Sequence, residues 1–360
     1  CTALTSIDLS NFNTSKVTDM GYMFKGCKAL TSLDLSNFNT TNVTSMASMF
    51  AGCTALTSID LSNFDTTNVT SMDSMFFGCS ALISLDVSNF DTSNVTNMYE
   101  IFYNCKALTS LDVSNFNTTK VTDMYGMFES CKGLTSLDVS NLDTSSVTTM
   151  RYMFRDCIKL TSLDLSNFDT KNVTNMYAMF QECNVLRSLN LSSFDTTNVT
   201  NMGYMFTGCT ALTSIDLSNF NTSKVTSMSS MFYNCKNLVS LDSMQNIPVS
   251  LSLSSTKLNV TSLLDVIDNL LIVTTNPTLT LGSTLLAKLT EEQIDAIKLA
   301  CVYQADYIID NGSTERMTAM GMVNRSNKYD KMDLHEFEVC SVSHNILATA
   351  GLLYQGIGGG

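Results

Sequence analysis

The chain has 360 residues, a formal net charge of −13 at pH 7 and 15% charged residues. This acidic balance argues against wrapping nucleic acid, whose phosphates require a basic surface. No run approaches the roughly 18 apolar residues of a membrane-spanning helix, and common phosphate-loop, hydrolase and metalloprotease patterns are missing. We therefore expect a non-enzymatic protein with no catalytic residues, no cofactor, no bound transition metal and no membrane span.

A repeat of 26 residues, each beginning with a cysteine, organises the first two thirds of the chain. We number these units coil 1 to coil 10. A unit of this length cannot bury its own apolar face, so neighbouring coils are predicted to stack into a solenoid with one continuous core. The cysteines are Cys1, Cys27, Cys53, Cys79, Cys105, Cys131, Cys157, Cys183, Cys209 and Cys235.

The apolar spacing within coil 1 changes partway along the unit. Residues 4–9 alternate, which is typical of a short half-buried strand. Residues 17–24 have helical spacing, which predicts a short helix or 3₁₀ segment with Thr18 as its N-cap. Between them, Asn13 and its equivalents are either Asn or Asp, which indicates an Asx turn. The predicted fold class is an α/β repeat solenoid, in which each coil contributes a short parallel strand and a short helix or 3₁₀ turn.

Residues 160–183 read L-x-x-L-D-L-S-x-F-D-T-x-x-V-T-x-M-x-x-M-F-x-x-C. Through this pattern, residues 1 to about 245 resemble the BspA-like leucine-rich repeats of bacterial surface and phage proteins. In the commoner leucine-rich pattern, the place of Phe12 holds an asparagine whose side chain forms a buried ladder. Because phenylalanine fills that row here, with Leu142 as the exception, we expect aromatic stacking in place of that buried asparagine ladder.

Each predicted strand carries an aspartate, or Asn190 in coil 8, that alternation turns outward, onto the concave face of the solenoid. At a strand spacing of about 4.8 Å, adjacent carboxylates repel by roughly 0.8 kcal/mol even in water. Such an acidic stripe would bind calcium, a cationic peptide or a polyhydroxy surface. Alternatively, each aspartate is structural and accepts hydrogen bonds from the Ser and Thr rows of the next coil. The predicted ligand-binding residues are Asp34, Asp60, Asp86, Asp112, Asp138, Asp164 and Asp216.

The cysteine and methionine rows are interpreted as core. Ten evenly spaced cysteines without a C-x-x-C pair are typical of reduced, buried thiols rather than of disulfides or a zinc site. Variation is confined to positions such as Gly21, Tyr22 and Lys25. Tyrosine among Ser, Thr and Asn is well suited to recognising sugars or proteins. We place these variable residues on the convex side or the coil edges: Tyr99, Tyr125, Arg151, Tyr152, Tyr177, Tyr204 and Tyr233.

The period decays after Leu241, so we assign residues 1–247 to the solenoid and 248–289 to a C-terminal cap. The cap is predicted to contain a strand over 249–253, an amphipathic helix over 260–273 and a strand over 278–281. Cys1 opens in the phase of the repeat, so either further coils or domains precede it or the row is a fragment. His335 and His344 lack a nucleophile or ligand partner and are expected to be structural.

Residues 290–360 form a third segment, which a capping box at Thr290 opens as a helix. The runs Ala300-Cys301-Val302-Tyr303-Gln304-Ala305 and Gly351-Leu352-Leu353-Tyr354-Gln355-Gly356 resemble the end of the head-tail connector proteins of tailed phages. That resemblance implies a helical anchor that contacts identical subunits or the portal and neck proteins. The anchor residues would be Tyr303, Gln304, Leu353, Tyr354 and Gln355.

Two functions remain open from the sequence. In the first, the protein is a structural component of a phage virion at the head-tail junction, and its repeats project outward to bind a host surface protein or glycan. In the second, which the repeat resemblance alone implies, it is an extracellular bacterial adhesin that binds host proteins or matrix. Neither function requires a reaction centre.

Overall fold

The computed structural model describes residues 1–269, 278–290 and 336–340. The coils stack in register, as the period predicts. Single parallel bridges join the same position of successive coils, from Asp19 to Ser45, from Ser45 to Ser71, and onward to Ser227. One hydrophobic core runs continuously from coil 1 into the cap. The repeat solenoid is therefore confirmed.

Regular elements lie at the C-terminal end of the described solenoid and in the cap. Strands β1 (Ser214–Asp216) and β2 (Ser240–Asp242) pair in parallel. Strands β3 (Leu251–Ser252), β4 (Thr278–Gly282) and β5 (Glu336–Cys340) form a sheet in that order, in which β4 is parallel to β3 and antiparallel to β5. The helices are α1 (Val260–Asp268) and α2 (Ser283–Leu286).

The segment predicted as a short helix in each coil is instead a stack of turns. The amides of Met20, Tyr22 and Phe24 each donate to a carbonyl of coil 2 at 2.9 Å. The intervening amides of Met23 and Lys25 donate three residues back, within their own coil. Tyr22 has a φ of 61°, a left-handed conformation that a right-handed helix does not contain. The helix and the Thr18 N-cap are therefore wrong, because successive i to i+3 turns space apolar side chains much as a helix does.

The predicted strand of each coil is only partly present. A paired strand occurs at β1 and β2, whereas earlier coils show scattered bonds such as that from the Ile83 amide to the Thr57 carbonyl, at 3.1 Å. The predicted alternation nevertheless holds: Leu33 and Leu35 are buried and Asp34 between them is exposed. Side-chain direction is correct here, although a continuous strand ladder does not form in these earlier coils.

Aromatic and sulfur-containing side chains fill the core. The rings that begin at Phe24 stack from coil to coil, with centroids 5.8 Å apart between Phe24 and Phe50 and 5.8 Å between Phe206 and Phe232. The cysteines from Cys27 to Cys235 are buried free thiols, as predicted. The Cys131 thiol donates to the Phe102 carbonyl at 3.2 Å, and burial raises the pKa of Cys131 to about 12.

A buried row of threonine hydroxyls links the coils. The Thr170 hydroxyl accepts from the Asp195 amide and donates to the Asp195 carbonyl, both at 2.8 Å. Thr170 is fully buried, so its hydroxyl satisfies two backbone groups of the next coil that would otherwise lack this partner. The row comprises Thr14, Thr40, Thr66, Thr92, Thr118, Thr144, Thr170, Thr196 and Thr222.

A different asparagine ladder, which the sequence did not predict, lies one residue before the phenylalanine row. The Asn37 side-chain amide donates to the Leu9 carbonyl at 2.8 Å and to the Phe12 carbonyl at 3.0 Å, and equivalent bonds recur along the solenoid. The ladder uses the residue before each phenylalanine and lies on an exposed edge instead of inside. The predicted aromatic stacking is confirmed where Phe194 lies 6.3 Å from Phe168 and 6.2 Å from Phe220.

The cap follows the predicted order of strand, helix and strand. Helix α1 begins after Asn259, whose side chain accepts from the Ser262 amide, and it ends at Asp268 rather than at residue 273. The Ser262 hydroxyl accepts from the Leu241 amide at 2.9 Å, so α1 covers the end of the last coil. No helix in the described ranges is long and apolar enough to cross a bilayer.

Strand β5 lies inside the segment 290–360 that was predicted to be helical, so that segment is not wholly helical. Its strand character follows from pairing with β4 along five residues. The predicted helix that opens at Thr290 lies outside the described residues, as do His335, His344 and the anchor residues Tyr303, Gln304, Leu353, Tyr354 and Gln355.

Candidate functional site

The predicted acidic stripe is an exposed row of aspartates, but each one bonds within its own coil. The Asp60 carboxylate accepts from the Ser62 amide at 3.0 Å, and the hydrogen bond from that amide lowers the pKa of Asp60. Asp138 accepts from both the hydroxyl and the amide of Ser140, at 2.7 and 2.9 Å. The expected bonds from the next coil are therefore replaced by Asx turns. The same turn occurs at Asp34, Asp86, Asp112, Asp164 and Asp216.

These turns give the stripe a structural role in the coil. In the part of the chain that the structure describes, no group of three or more His, Cys, Asp or Glu side chains is arranged to hold a metal ion. Calcium binding by the stripe stays a prediction.

A second surface departs from the repeat in the middle of the solenoid. Four rows, which begin at Gly21, Tyr22, Lys25 and Gly26, carry only small residues in coil 2 and mostly large or charged ones in coils 4 to 7. Coil 2 has Ala47, Ser48, Ala51 and Gly52, whereas coil 6 has Arg151, Tyr152, Arg155 and Asp156. We define the central patch as Tyr99, Glu100, Tyr103, Tyr125, Glu129, Arg151, Tyr152, Arg155, Asp156, Tyr177 and Tyr204.

Tyrosine rings of the central patch contact one another along the solenoid. Tyr99 stacks on Tyr125 with centroids 4.7 Å apart. Tyr152 lies edge-on between Tyr125 and Tyr177, at 5.2 and 5.3 Å, and Tyr204 follows at 5.4 Å from Tyr177. Burial raises the pKa of Tyr99 to about 12, and the neighbouring Glu100 carboxylate adds to this shift. The Tyr99 ring is therefore un-ionised at neutral pH, and each of these rings packs against the next.

Arg151 lies among these rings. Its guanidinium is 5.4 Å from the Tyr125 centroid and 5.5 Å from those of Tyr152 and Tyr177, within cation–π range of all three. Its Nε is buried and has no hydrogen-bond partner. Among the described residues, no carboxylate lies within ion-pair distance of Arg151. Arg151 is thus a positioned cation without a counter-ion among the residues that the structure describes.

The other charges of the central patch are largely paired. Arg155 lies 3.1 Å from the Glu129 carboxylate, and Lys132 lies 3.0 Å from that of Asp156. Glu129 is only 4% exposed. Burial raises the pKa of Glu129 to about 7, an effect that Arg155 opposes and Glu100 reinforces.

Replacing Glu129 with glutamine is expected to change how stability depends on pH. The pKa of Glu129 rises from 4.5 to about 7 on folding, so the native state binds more protons than the unfolded state between these values. Ionisation of Glu129 therefore costs stability as pH rises through this window. We expect E129Q to gain about 2 kcal/mol in free energy of unfolding relative to the wild type between pH 5 and pH 8. Urea unfolding at both pH values measures it, and a constant difference would contradict it.

The fold does not need the side chains of the central patch. Asp156 occupies a left-handed backbone position, with a φ of 63°, where coils 2 and 3 have Gly52 and Gly78. A non-glycine residue in that conformation costs roughly 1–2 kcal/mol. Coil 6 therefore carries a charged side chain at a position where glycine would adopt the required backbone conformation at a lower energetic cost.

The repeats of this chain match a known protein family. The family described as "Mycoplasma protein of unknown function, DUF285" matches residues 1–110, 73–163, 106–188 and 156–250. These overlapping matches cover residues 1–250, more than half of the chain. The chain belongs to this family. No curated protein matches it. The DUF285 matches end before the block that resembles connector proteins, so the virion role stays a prediction.

Two solved structures are similar to this DUF285 chain. The chain described as the crystal structure of a TLR13–ssRNA13 complex is 16% identical, with a TM-score of 0.27; the match covers 68% of this chain and 50% of that one. A leucine-rich repeat protein from Eubacterium ventriosum ATCC 27560 is 19% identical, with a TM-score of 0.30 and coverage of 64% and 72%. This chain thus spans half the length of the TLR13 chain. At these TM-scores neither structure bears on its ligand.

Sequence reasoning found part of the central patch in this DUF285 repeat. It singled out variable residues on the surface, and the structure brings Tyr99, Tyr125, Arg151, Tyr152, Tyr177 and Tyr204 into mutual contact, whereas Tyr22 and Tyr233 lie outside this group. It missed Glu100, Tyr103, Glu129, Arg155 and Asp156. Aligning the coils with one another reveals them, because they depart from the repeat in the same four rows.

Proposed function

We propose that this chain is a non-enzymatic binding protein of the extracellular bacterial surface, and that the central patch contacts its macromolecular partner. The observation that supports this is the replacement of Ala, Ser and Gly in coil 2 by tyrosine, arginine and carboxylates in coils 4 to 7. The acidic stripe is the weaker candidate, since its aspartates are engaged in Asx turns of their own coils.

The chemistry of the central patch suits binding rather than catalysis. Tyr and Arg carry much of the binding energy at protein interfaces, because they combine large contact area with hydrogen-bonding groups. Contacts between the rings hold the side chains in place before a partner arrives, which lowers the entropy lost on binding. The unpaired Arg151 guanidinium adds a specific polar contact at the centre.

Replacing four residues of coil 6 with their coil 2 equivalents tests this function. The coil 6 variant carries R151A, Y152S, R155A and D156G, the residues that coil 2 has at these positions. The labelled full chain and the variant are applied to an array of purified extracellular proteins and glycans. We expect at least one immobilised ligand to retain the wild type. The affinity of the variant for that ligand should be at least about tenfold lower, because hot-spot residues have been removed.

The matched control changes exposed residues outside the central patch in the same coil. Thr135 and Ser136 are replaced with alanine in a second variant, which should bind like the wild type. Circular dichroism checks that both variants keep the fold. Equal binding by the coil 6 variant and the wild type, or retention of the wild type by no ligand on the array, would count against the proposed function.

A further inference from the structure

We propose that Arg151 receives a single Asp or Glu carboxylate of a protein partner, and that a Lys or Arg of the partner segment lies about three residues from that carboxylate. This inference rests on the proposed function and specifies the chemistry of the same site. It follows from the charge of Arg151, from the carboxylates of the neighbouring coils and from the contacts that the tyrosine rings already make with one another and with Arg151.

The unpaired guanidinium of Arg151 selects a carboxylate. Three tyrosine rings hold the group, and its buried Nε shows that it is drawn into the surface rather than extended into water. A planar guanidinium presents parallel N–H groups that match the two oxygens of a carboxylate. The other arginine of the central patch, Arg155, already donates to the Glu129 carboxylate through one N–H group, at 3.1 Å.

The neighbouring coils add negative charge on one side of Arg151. Glu129 and Asp156 are paired with Arg155 and Lys132, but Glu100 in coil 4 and Asp123 in coil 5 form no ion pair with a described residue. A partner that carries only negative charge, such as a polyanionic glycan or a nucleic acid, would be repelled there. A partner with a cation beside its carboxylate would be attracted at both points.

The spacing of the coils sets the spacing of the two charges. Coil 4 and coil 6 are two steps apart, or roughly 10 Å at the usual strand spacing. A segment in the polyproline-II conformation covers that distance in about three residues, and its three residues per turn bring side chains i and i+3 to the same face. The expected sequence is therefore E-x-x-K or K-x-x-E, with Asp and Arg as equivalents.

A protein segment fits the tyrosines better than a sugar does. Tyr99 and Tyr125 stack on each other, and Tyr125 and Tyr177 also contact the edge of Tyr152 and the guanidinium of Arg151. Ring faces used in this way are not free to stack on a pyranose. Their edges and hydroxyls remain for the mixed apolar and hydrogen-bonding contacts of a peptide.

Three displayed peptide libraries test the inference on the full-length chain. The first fixes Glu and Lys with two random residues between them, in both orders; the second has Gln in place of Glu; the third has Glu in place of Lys. We expect the first library to be retained about tenfold or more over the second, the value of one charged hydrogen-bonded contact, and over the third. In R151Q the preference for Glu over Gln should disappear.

The matched control is R187Q, which removes an exposed arginine outside the central patch and should leave the preference intact. R151Q should fold, because the same row holds Gly21, Ala47 and Ser229 in other coils. Equal retention of the first two libraries, a preference that survives in R151Q, or tighter Arg151-dependent binding of alginate would overturn the inference. If the coil 6 variant loses its array ligand while R151Q keeps it, the inference fails and the proposed function stands.

Discussion

Replacing Phe154 with alanine is expected to lower the free energy of unfolding by about 3–5 kcal/mol. Phe154 is fully buried and its ring stacks between Phe128 and Phe180, at 5.8 Å from each. Removing the ring leaves a cavity that two coils share and that the regular stack cannot collapse around. Urea unfolding followed by circular dichroism measures the loss.

The matched control is the same substitution in coil 1. Phe24 has a stacked neighbour on one side only, Phe50, so F24A removes fewer contacts and should cost less. In a stack where each coil contacts its neighbours, interior losses exceed terminal ones. An equal cost at Phe24 and Phe154 would show that the core is not shared between coils.

Replacing Thr170 with valine is expected to cost about 2–3 kcal/mol. The substitution preserves shape but removes the hydroxyl that serves both the amide and the carbonyl of Asp195. Two backbone groups between coil 7 and coil 8 then lose their partner. Thermal and urea unfolding of the two proteins give the difference.

Thr174 provides the control for this prediction. It lies in the same coil, is exposed, and its hydroxyl makes one longer bond, of 3.2 Å, to the Thr148 carbonyl. T174V should therefore change stability by less than about 0.5 kcal/mol, as most surface substitutions do. If T170V were as mild as T174V, the buried hydroxyl row would not stabilise the stack.

Local patterns in the sequence predict the features that depend on one coil. Alternation around Asp34 gives the correct buried and exposed faces, and the turn at Asn39 forms as expected, with the Thr41 amide 3.1 Å from its side chain. Helix α1 is also recovered from its start at Val260, because an amphipathic helix has a strong local signal.

The misses concern bonds between coils. Residues 20–26 have helical apolar spacing, yet their alternate amides bond to the next coil, which only stacking reveals. The same holds for Thr170, whose partner Asp195 is distant in sequence, and for Asn37, whose partners lie in the preceding coil. A threonine or asparagine that repeats once per coil carries no local sign of whether it bonds along the stack.

Only part of the central patch could be predicted from the sequence, for a related reason. Departure from the repeat identifies Arg151 and Tyr152 as variable, and their type suggests binding. Their arrangement depends on contacts across coils, such as that of Tyr152 with Tyr125 and Tyr177. The pairing of Arg155 with Glu129, and thus the unpaired state of Arg151, likewise requires the stacked geometry.

Distances between spin labels along one row test the stack most directly. Cysteine is introduced at Ser36 and at one of Ser166, Ser192 or Ser218, all exposed and equivalent within their coils. Cys1, Cys301 and Cys340 are changed to serine, and the buried thiols stay unlabelled. Stacking in register predicts separations of roughly 24, 29 and 34 Å, an increase of about 4.8 Å for each added coil. Separations that do not grow with the number of coils would contradict the solenoid and the central patch that depends on it.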